Sequence, residues 1–171
     1  MKKIAVLTSG GDAPGMNACI RAVVRYAIYC GYKVYGVERG YYGLINDDIF
    51  QMYPRSVSDI VQKGGTILHT ARCPEFKEYE NRVKAAENLQ KRDIDNLVVI
   101  GGDGTMRMSK EIAEKTGINI VGVPKTIDND LMATDVTFGF YTAVDTASQA
   151  LDRLHTTAES HHRVMILEVM G

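Results

Sequence analysis

The sequence has no excess of charge of either sign, because 20 lysine and arginine residues stand against 21 aspartate and glutamate residues. Such a balance creates no overall field that would draw the chain to nucleic acid or to an anionic membrane surface, so neither partner is expected. An anionic ligand would therefore have to be bound by a local cluster of groups.

Long hydrophobic runs and cysteine patterns are missing as well. No stretch approaches the roughly 18 apolar residues of a membrane span. The run IAVL that follows the first three residues is far shorter than the roughly 7 to 15 residues of a signal-peptide core. Cys19, Cys30 and Cys73 lack metal-ligand spacing, which is typical of reduced thiols in a cytosol. These absences favour a soluble cytoplasmic protein.

The sequence does contain a succession of short apolar runs separated by helical patterns. With 171 residues, 45% of them hydrophobic, the chain is long enough for one domain with a sizeable core. Continuous apolar runs predict an open, mainly parallel α/β sheet flanked by helices. The predicted strands are 4–8, 33–38, 96–100, 118–123 and 163–169. The predicted helices run from about Pro14 to Gly31, near 78–92 and through 138–155.

Three of the predicted strands end in unusual loops: TSGGDAPGMN at 8–17, GGDGT at 101–105 and PKTIDND at 124–130. Glycines let backbone N–H groups approach an anion closely, and a helix that begins directly afterwards adds the partial positive charge of its N-terminus. Asp103 fits a divalent cation that bridges a carboxylate and phosphate oxygens, as Mg²⁺ commonly does. Each loop alone could be a tight or capped turn. Three of them at strand ends favour a phosphate site gathered at one edge of the sheet.

These residues together suggest phosphoryl transfer, whose catalysis is mostly positioning and charge stabilisation. Asp103 would hold the metal and glycine amides would surround the phosphates. Arg72 would neutralise developing charge, and Asp128 would take a proton from a hydroxyl group. The acceptor would then be an alcohol.

The same motifs, with ARCPEF at 71–76, SHHRV at 160–164 and EVMG at 168–171, resemble in this order the amino-terminal half of the phosphofructokinase family. The resemblance implies a Rossmann-like phosphoryl-donor domain over 1–171, with the carboxy-terminal substrate domain absent from the chain. It implies a glycolytic kinase that transfers a phosphoryl group from ATP, with Mg²⁺, to the 1-position of fructose 6-phosphate. A homo-oligomer, a dimer or tetramer, is expected of the full-length protein.

The resemblance also assigns residues by matching position. The donor site would comprise Gly11, Arg72, Cys73, Gly102, Asp103, Gly104 and Thr105, with Asp103 at the Mg²⁺ position. The sugar-phosphate segment would comprise Thr126, Ile127 and Asp128, with Asp128 as the general base and Asp130 as a nearby electrostatic contributor. Further contacts with fructose 6-phosphate would come from Arg163, acting in a neighbouring subunit, and from Met170 and Gly171.

Three arginines resemble the family's site for an effector phosphate. Arg21 and Arg25 lie one turn apart on the polar side of the first predicted helix, and Arg55 would join them. A solvated helix face explains the same spacing. His155 stands where another effector arginine is expected, which argues against ordinary allosteric control.

Two positions disagree about the phosphoryl donor. In this family Gly at position 104 goes with ATP, whereas Asp there crowds and repels a donor longer than pyrophosphate. Lys125 occupies a position that is usually Gly in ATP users and Lys in pyrophosphate users. ATP is favoured because an added lysine need not exclude anything. Pyrophosphate is the alternative donor, and a nucleotide-binding half-domain without catalysis is the alternative function, since the family's chains are much longer.

Overall fold

The computed structural model describes residues 2–170 and alternates strands with helices. The strands are β1 (Lys3–Thr8), β2 (Lys33–Val37), β3 (Ile49–Met52), β4 (Asn96–Gly101), β5 (Asn119–Thr126) and β6 (Phe138–Gly139). The helices are α1 (Met16–Tyr29), α2 (Tyr41–Asn46), α3 (Tyr79–Gln90), α4 (Asp103–Thr116) and α5 (Phe140–His161). Single turns of 3-10 helix cover Pro54–Val57 and Pro74–Lys77. None of the described helices is both long and apolar enough to cross a membrane.

The strands form one six-stranded sheet in the order β3-β2-β1-β4-β5-β6. Every neighbouring pair is parallel except β2 with β3, which is antiparallel. The open, mainly parallel α/β fold predicted from the sequence is therefore confirmed. Since β1, β4 and β5 are parallel neighbours, their carboxyl ends meet at one edge of the sheet, where ligands of such folds bind.

Helices bury both faces of β1 and β4, which explains why these two strands are continuously apolar. Ala5 and Leu7 of β1 pack in one core cluster with residues of α2, α3 and α4. Val6 lies in a second cluster on the opposite face, with Met16, Ile20 and Val24 of α1. Successive residues of a strand point to opposite faces, so β1 supplies both clusters.

Two local predictions fail. The strand predicted at 163–169 is wrong, because this segment forms neither helix nor strand. Val164 and Ile166 are 94% and 90% exposed, so the apolar run has found no neighbouring strand to pair with. Conversely, the antiparallel edge strand β3 was not predicted, since it is short and exposes Phe50 and Gln51. The helix predicted through 138–155 is present as α5, but none of its residues is buried.

Candidate active site

The three loops line a single cleft of about 910 Å³, which we call the three-loop cleft. It lies at the carboxyl ends of β1, β4 and β5, so the sequence-based prediction of one shared edge is confirmed. Asp103 and Asp128 both line it. The candidate residues that the structure brings together there are Gly11, Arg72, Cys73, Gly102, Asp103, Gly104, Thr105, Lys125, Thr126, Asp128 and Asp130.

The cleft contains the N-terminus of α4, which begins at Asp103 directly after β4. The first backbone N–H groups of a helix have no partner within it, so they are available to an anion. A side chain at Gly101 would place its Cβ 2.5 Å from Cγ2 of Thr105, which explains why a glycine stands where the helix starts so close to the strand. A Cβ at Gly104 would meet nothing within 4 Å, so the cleft has room at this position.

A buried tyrosine supports this first turn of α4. The hydroxyl of Tyr41 donates a 2.9 Å hydrogen bond to the carbonyl oxygen of Thr105 and lies 2.8 Å from Oγ of Ser109. Its ring stacks on Phe76 with a centroid distance of 4.3 Å. Burial is the main cause that raises the pKa of Tyr41, so the phenol remains a donor. No local motif in the sequence marks this tyrosine as a support.

The segment around Arg72 also lines the three-loop cleft. Arg72 is exposed and Cys73 is half-buried just before the turn that begins at Pro74. Burial raises the pKa of the Cys73 thiol, which therefore stays protonated. Lys77 also lines the cleft, and it is a cation that sequence reasoning missed. A solvated lysine three residues after Pro74 carries no motif that could have revealed it.

The loop after β5 is held in place by polar contacts. The N–H of Asp128 donates to Oγ1 of Thr126 at 3.1 Å. Oδ1 of Asn129 accepts the N–H of Thr137 at 2.9 Å, and the Thr137 hydroxyl donates to the carbonyl of Thr126 at 2.8 Å. Thr137 is 1% exposed, so these bonds are shielded from water. The turn that carries Asp128 is therefore fixed by Asn129 and Thr137, two residues that were not among the predicted site residues.

Asp128 lies between two hollows. It lines the three-loop cleft and also a second hollow of about 720 Å³ beside α5, together with Asp12, Ile127 and Met170. Ile127 and Met170 therefore line the second hollow and not the three-loop cleft. Arg163 is exposed and lines neither hollow, and Gly171 lies outside the described residues.

Lys125 is a buried cation at the end of β5, with a side chain only 4% exposed. Its ammonium donates a hydrogen bond to the carbonyl oxygen of Gly11. Burial lowers the pKa of Lys125, and the attraction of Asp12 and Asp128 opposes this shift only in part. The charge that sequence reasoning connected with donor choice is thus engaged with the first glycine loop.

Asp103 is suited to a metal ion that binds together with a phosphate-containing ligand. Its carboxylate is about half exposed and pairs with Arg107 at 2.9 Å, an exposed ion pair of small energetic value. No group of three potential metal-ligating side chains occurs in the part of the chain that the structure describes. Mg²⁺ readily takes one carboxylate together with phosphate oxygens and water, so Asp103 fits such an ion.

The three candidate effector arginines lie away from the three-loop cleft. Nη1 of Arg21 donates a 2.5 Å hydrogen bond to the carbonyl of Val57. That carbonyl ends the 3-10 turn that contains Arg55 and that packs against α1. Arg25 and Arg55 are exposed. The structure therefore brings Arg21 to the turn of Arg55, and Arg21 is already bonded to the backbone there.

A further hollow of about 400 Å³, the apolar groove, lies at the opposite edge of the sheet between α1 and the starts of β4 and β5. Ile4, Val23, Leu97 and Val121 are among its lining residues, and no charged side chain lines it within residues 2–170. The groove does not suit a phosphate ligand.

Comparison of the sequence with known proteins identifies the family of this chain. A family model described as phosphofructokinase matches residues 3–171. The chain belongs to the phosphofructokinase family. It is 59% identical over 172 aligned residues to an ATP-dependent 6-phosphofructokinase of Staphylococcus carnosus, covering 100% of this chain and 53% of that protein. An ATP-dependent 6-phosphofructokinase of a Thermoanaerobacter species is 57% identical, with the same coverage of 100% and 53%.

Solved structures support the same membership. The phosphofructokinase of Saccharomyces cerevisiae superposes with a TM-score of 0.86 at 39% identity, covering 94% of this chain and 25% of that chain. A pyrophosphate-dependent phosphofructokinase from Nitrosospira multiformis superposes with a TM-score of 0.77 at 24% identity, over 92% of this chain and 43% of that chain, which shows a shared fold alone. This phosphofructokinase-family chain spans about half the length of the curated relatives it matches.

Proposed function

We propose that this chain is the phosphoryl-donor half of a 6-phosphofructokinase and that it binds MgATP in the three-loop cleft. The observation that carries the proposal is the convergence of the N-terminus of α4 with Arg72 and Lys77 around the open space at Gly104. Helix amides and cations are the groups that bind phosphate chains. The names of the bacterial relatives support ATP as the donor and fructose 6-phosphate as the acceptor.

Asp128 acts as the general base in the proposed reaction. Its carboxylate takes the proton of the 1-hydroxyl of fructose 6-phosphate while that oxygen bonds to the γ-phosphorus of ATP and the bond from phosphorus to ADP breaks. The position of Asp128 between the donor cleft and the second hollow supports this role, because a base must contact both substrates. Thr126 and Asp130 would shape the charge around the transferring group, with Arg72 opposite.

The remaining assignments follow the same division of the site. Gly11, Cys73 and the segment Gly102 to Thr105 would contact the nucleotide, while Ile127, Arg163, Met170 and Gly171 would serve the sugar phosphate. Asp103 would hold Mg²⁺, which supplies neutralisation of phosphate charge when it is bound with the nucleotide.

The proposal also covers the pathway, the location, the oligomeric state and an effector site. We place the reaction in glycolysis in the cytoplasm, with the full-length protein acting as a homo-oligomer. Arg21, Arg25 and Arg55 would form the effector site. Since Arg21 is already bonded to Val57, Arg25 and Arg55 would supply most of the phosphate contacts.

Pyrophosphate is the second candidate donor, and Lys125 is the observation that favours it. A buried ammonium beside the glycine loop could neutralise a compact dianion as well as a nucleotide. Against this, Gly104 leaves room for a longer donor. ATP is therefore the donor proposed.

A coupled assay with ATP and pyrophosphate side by side tests the proposal. It is run on the 171-residue chain and on a chimera, defined as this chain joined to the carboxy-terminal half of the Staphylococcus carnosus relative. We expect the chimera to phosphorylate fructose 6-phosphate with ATP in preference to pyrophosphate. Preference for pyrophosphate would reverse the choice of donor, and a folded chimera inactive with both would refute the proposed function.

A further inference from the structure

Lys125 joins two loops that the sheet itself leaves apart. β1 and β5 are not neighbours, because β4 lies between them in the strand order. The ammonium of Lys125, at the end of β5, nevertheless donates to the carbonyl oxygen of Gly11 in the loop after β1. A Cβ built at Gly10 would lie 3.8 Å from Nζ of Lys125, which places Gly10 beside this side chain as well. The lysine therefore connects the ends of two strands that are not neighbours in the sheet.

The loop of Gly10, Gly11 and Asp12 has little else to hold it. All three residues are exposed, and Gly10 has a left-handed backbone with φ of +81°. The hydrogen bonds on either side come from the N–H of Ser9 and the N–H of Ala13. Within residues 2–170, the bond from Lys125 is the single hydrogen bond found for these three residues. A glycine-rich segment with few hydrogen bonds has many accessible conformations, so one hydrogen bond from a charged group has a large effect on how ordered the segment is.

We propose that Lys125 is a positioning residue that fixes the first glycine loop to the end of β5 and so presents the loop to the phosphoryl donor. The inference rests on the proposed function in one respect, which is that a phosphate chain is the ligand of the three-loop cleft. Lys125 acts through Gly11, because one of its three ammonium N–H groups donates to the Gly11 carbonyl oxygen before any donor is bound.

A positioning role and a direct phosphate contact predict different behaviour of the chain without ligand. If Lys125 orders the loop, its removal changes the loop before any donor is added. If Lys125 only contacts phosphate, the free loop is unaffected. Lys125→Met keeps much of the length of the side chain and removes its donors and charge. Lys84→Met is the matched control, because Lys84 is exposed on α3.

The first test measures backbone ¹⁵N order parameters of Gly10, Gly11 and Asp12 in the ligand-free 171-residue chain. We expect the order parameters to fall from values typical of rigid backbone, about 0.85, towards the flexible range below about 0.6 in Lys125→Met. The carbonyl ¹³C shift of Gly11 should move as well, and Lys84→Met should leave both unchanged. Unchanged values in Lys125→Met would overturn the proposal.

The second test measures binding of MgATP and of magnesium pyrophosphate to the same variants by calorimetry. Loss of an ordered loop should weaken both ligands by about tenfold or more in Lys125→Met, as expected for losing a charge-assisted hydrogen bond. Weaker binding with an unchanged free loop would make Lys125 a direct phosphate contact and overturn the positioning role. If the wild-type chain binds neither ligand, the proposed function fails, while the order parameters still decide whether Lys125 holds the loop.

A measurement on the wild-type chain covers the case in which Lys125→Met does not fold. A buried, hydrogen-bonded ammonium exchanges its protons slowly, so the Nζ group of Lys125 should give a ¹⁵N signal at neutral pH that exposed lysines do not give. Correlation of that signal with the Gly11 carbonyl carbon supports the contact. Fast exchange of the Lys125 ammonium, as in an exposed lysine, would refute it.

Discussion

The hydroxyl of Tyr41 donates a 2.9 Å hydrogen bond to the carbonyl oxygen of Thr105, and this bond connects the core beneath α2 to the first turn of α4. Tyr41 is 2% exposed, so water could not easily take the place of its hydroxyl if that group were removed. The hydroxyl of Ser109 also donates to the Thr105 carbonyl, which would remain partly satisfied without Tyr41.

Tyr41→Phe should therefore lower the free energy of unfolding by about 1 kcal/mol, the usual net value of one hydrogen bond. Urea denaturation of the 171-residue chain measures this change. Tyr79→Phe is the control, because Tyr79 is 58% exposed and its loss of a hydroxyl should have almost no effect. Equal changes in the two variants would mean that the Tyr41 bond contributes nothing specific.

Lys125 should give the stability of the chain a distinctive dependence on pH. Burial lowers its pKa below the ordinary 10.5, so at pH values between the two the unfolded chain holds a proton that the folded chain has released. Stability rises with pH wherever the unfolded state binds more protons. The wild-type chain should therefore gain stability relative to Lys125→Met as the pH is raised towards 10.5.

Urea denaturation at several pH values follows this difference. Lys84→Met should run parallel to the wild-type chain, since Lys84 is exposed on α3. A difference between wild type and Lys125→Met that stays constant, or that shrinks as the pH rises, would contradict the burial of a charged ammonium.

Asp128→Ser should lower the turnover of the chimera by about 10²- to 10⁴-fold, the range for loss of a general base. The affinity for fructose 6-phosphate should change little, because the carboxylate acts on a proton rather than on the sugar phosphate. Steady-state kinetics separate the two effects, and Asp152→Ser on the exposed face of α5 is the control. A large loss of affinity with unchanged turnover would reassign Asp128 to substrate binding.

The sequence predicted the helices α1, α3 and α5 and the parallel strands β1, β2, β4 and β5 correctly, but it failed for the edge strand β3 and for the segment 163–169. β1 and β4 are buried on both faces, so their continuous apolar runs reflect burial, whereas β5 is only partly covered and Val121 is 62% exposed. The run at 163–169 is also rich in apolar residues, but Val164 and Ile166 are exposed. An apolar run indicates that a segment can be buried, but it does not show which neighbouring element would bury it. β3 failed in the opposite way, since an edge strand with exposed Phe50 and Gln51 leaves no apolar run to recognise.

Some residues of the candidate site could be predicted from the sequence and others could not. Its glycines and carboxylates lie in contiguous motifs at strand ends, and such residues can be recognised because backbone geometry requires them locally. Tyr41 and Thr137 reach the site through tertiary contacts with residues 64 and 11 positions away. No local pattern encodes a contact of that kind. The engagement of Lys125 with Gly11 likewise depends on two strands that are not adjacent in the sheet.

Gly104→Asp should change the choice of donor. The added Cβ meets nothing within 4 Å, so the variant should fold, and an acidic residue in the first turn of α4 favours the helix. Two unit charges at ~4 Å repel by about 4 kcal/mol at an effective dielectric of 20, which is roughly a thousandfold in ATP affinity. Pyrophosphate should lose much less, as calorimetry with both ligands would measure.

Gly104→Asn is the matched control, because asparagine has nearly the size of aspartate without its charge. It should weaken ATP binding far less than Gly104→Asp does. If Gly104→Asp weakens both donors equally, Lys125 rather than Gly104 decides the choice of donor.

Titration of MgATP into the ¹⁵N-labelled 171-residue chain tests the location of the donor site most directly. We expect saturable shifts that are largest at the amides of Gly11 and of Gly102 to Thr105, with little change at Val23 and Val121 in the apolar groove. Absence of saturable shifts at millimolar nucleotide, or shifts centred on the apolar groove, would contradict the assignment of the three-loop cleft as the phosphoryl-donor site.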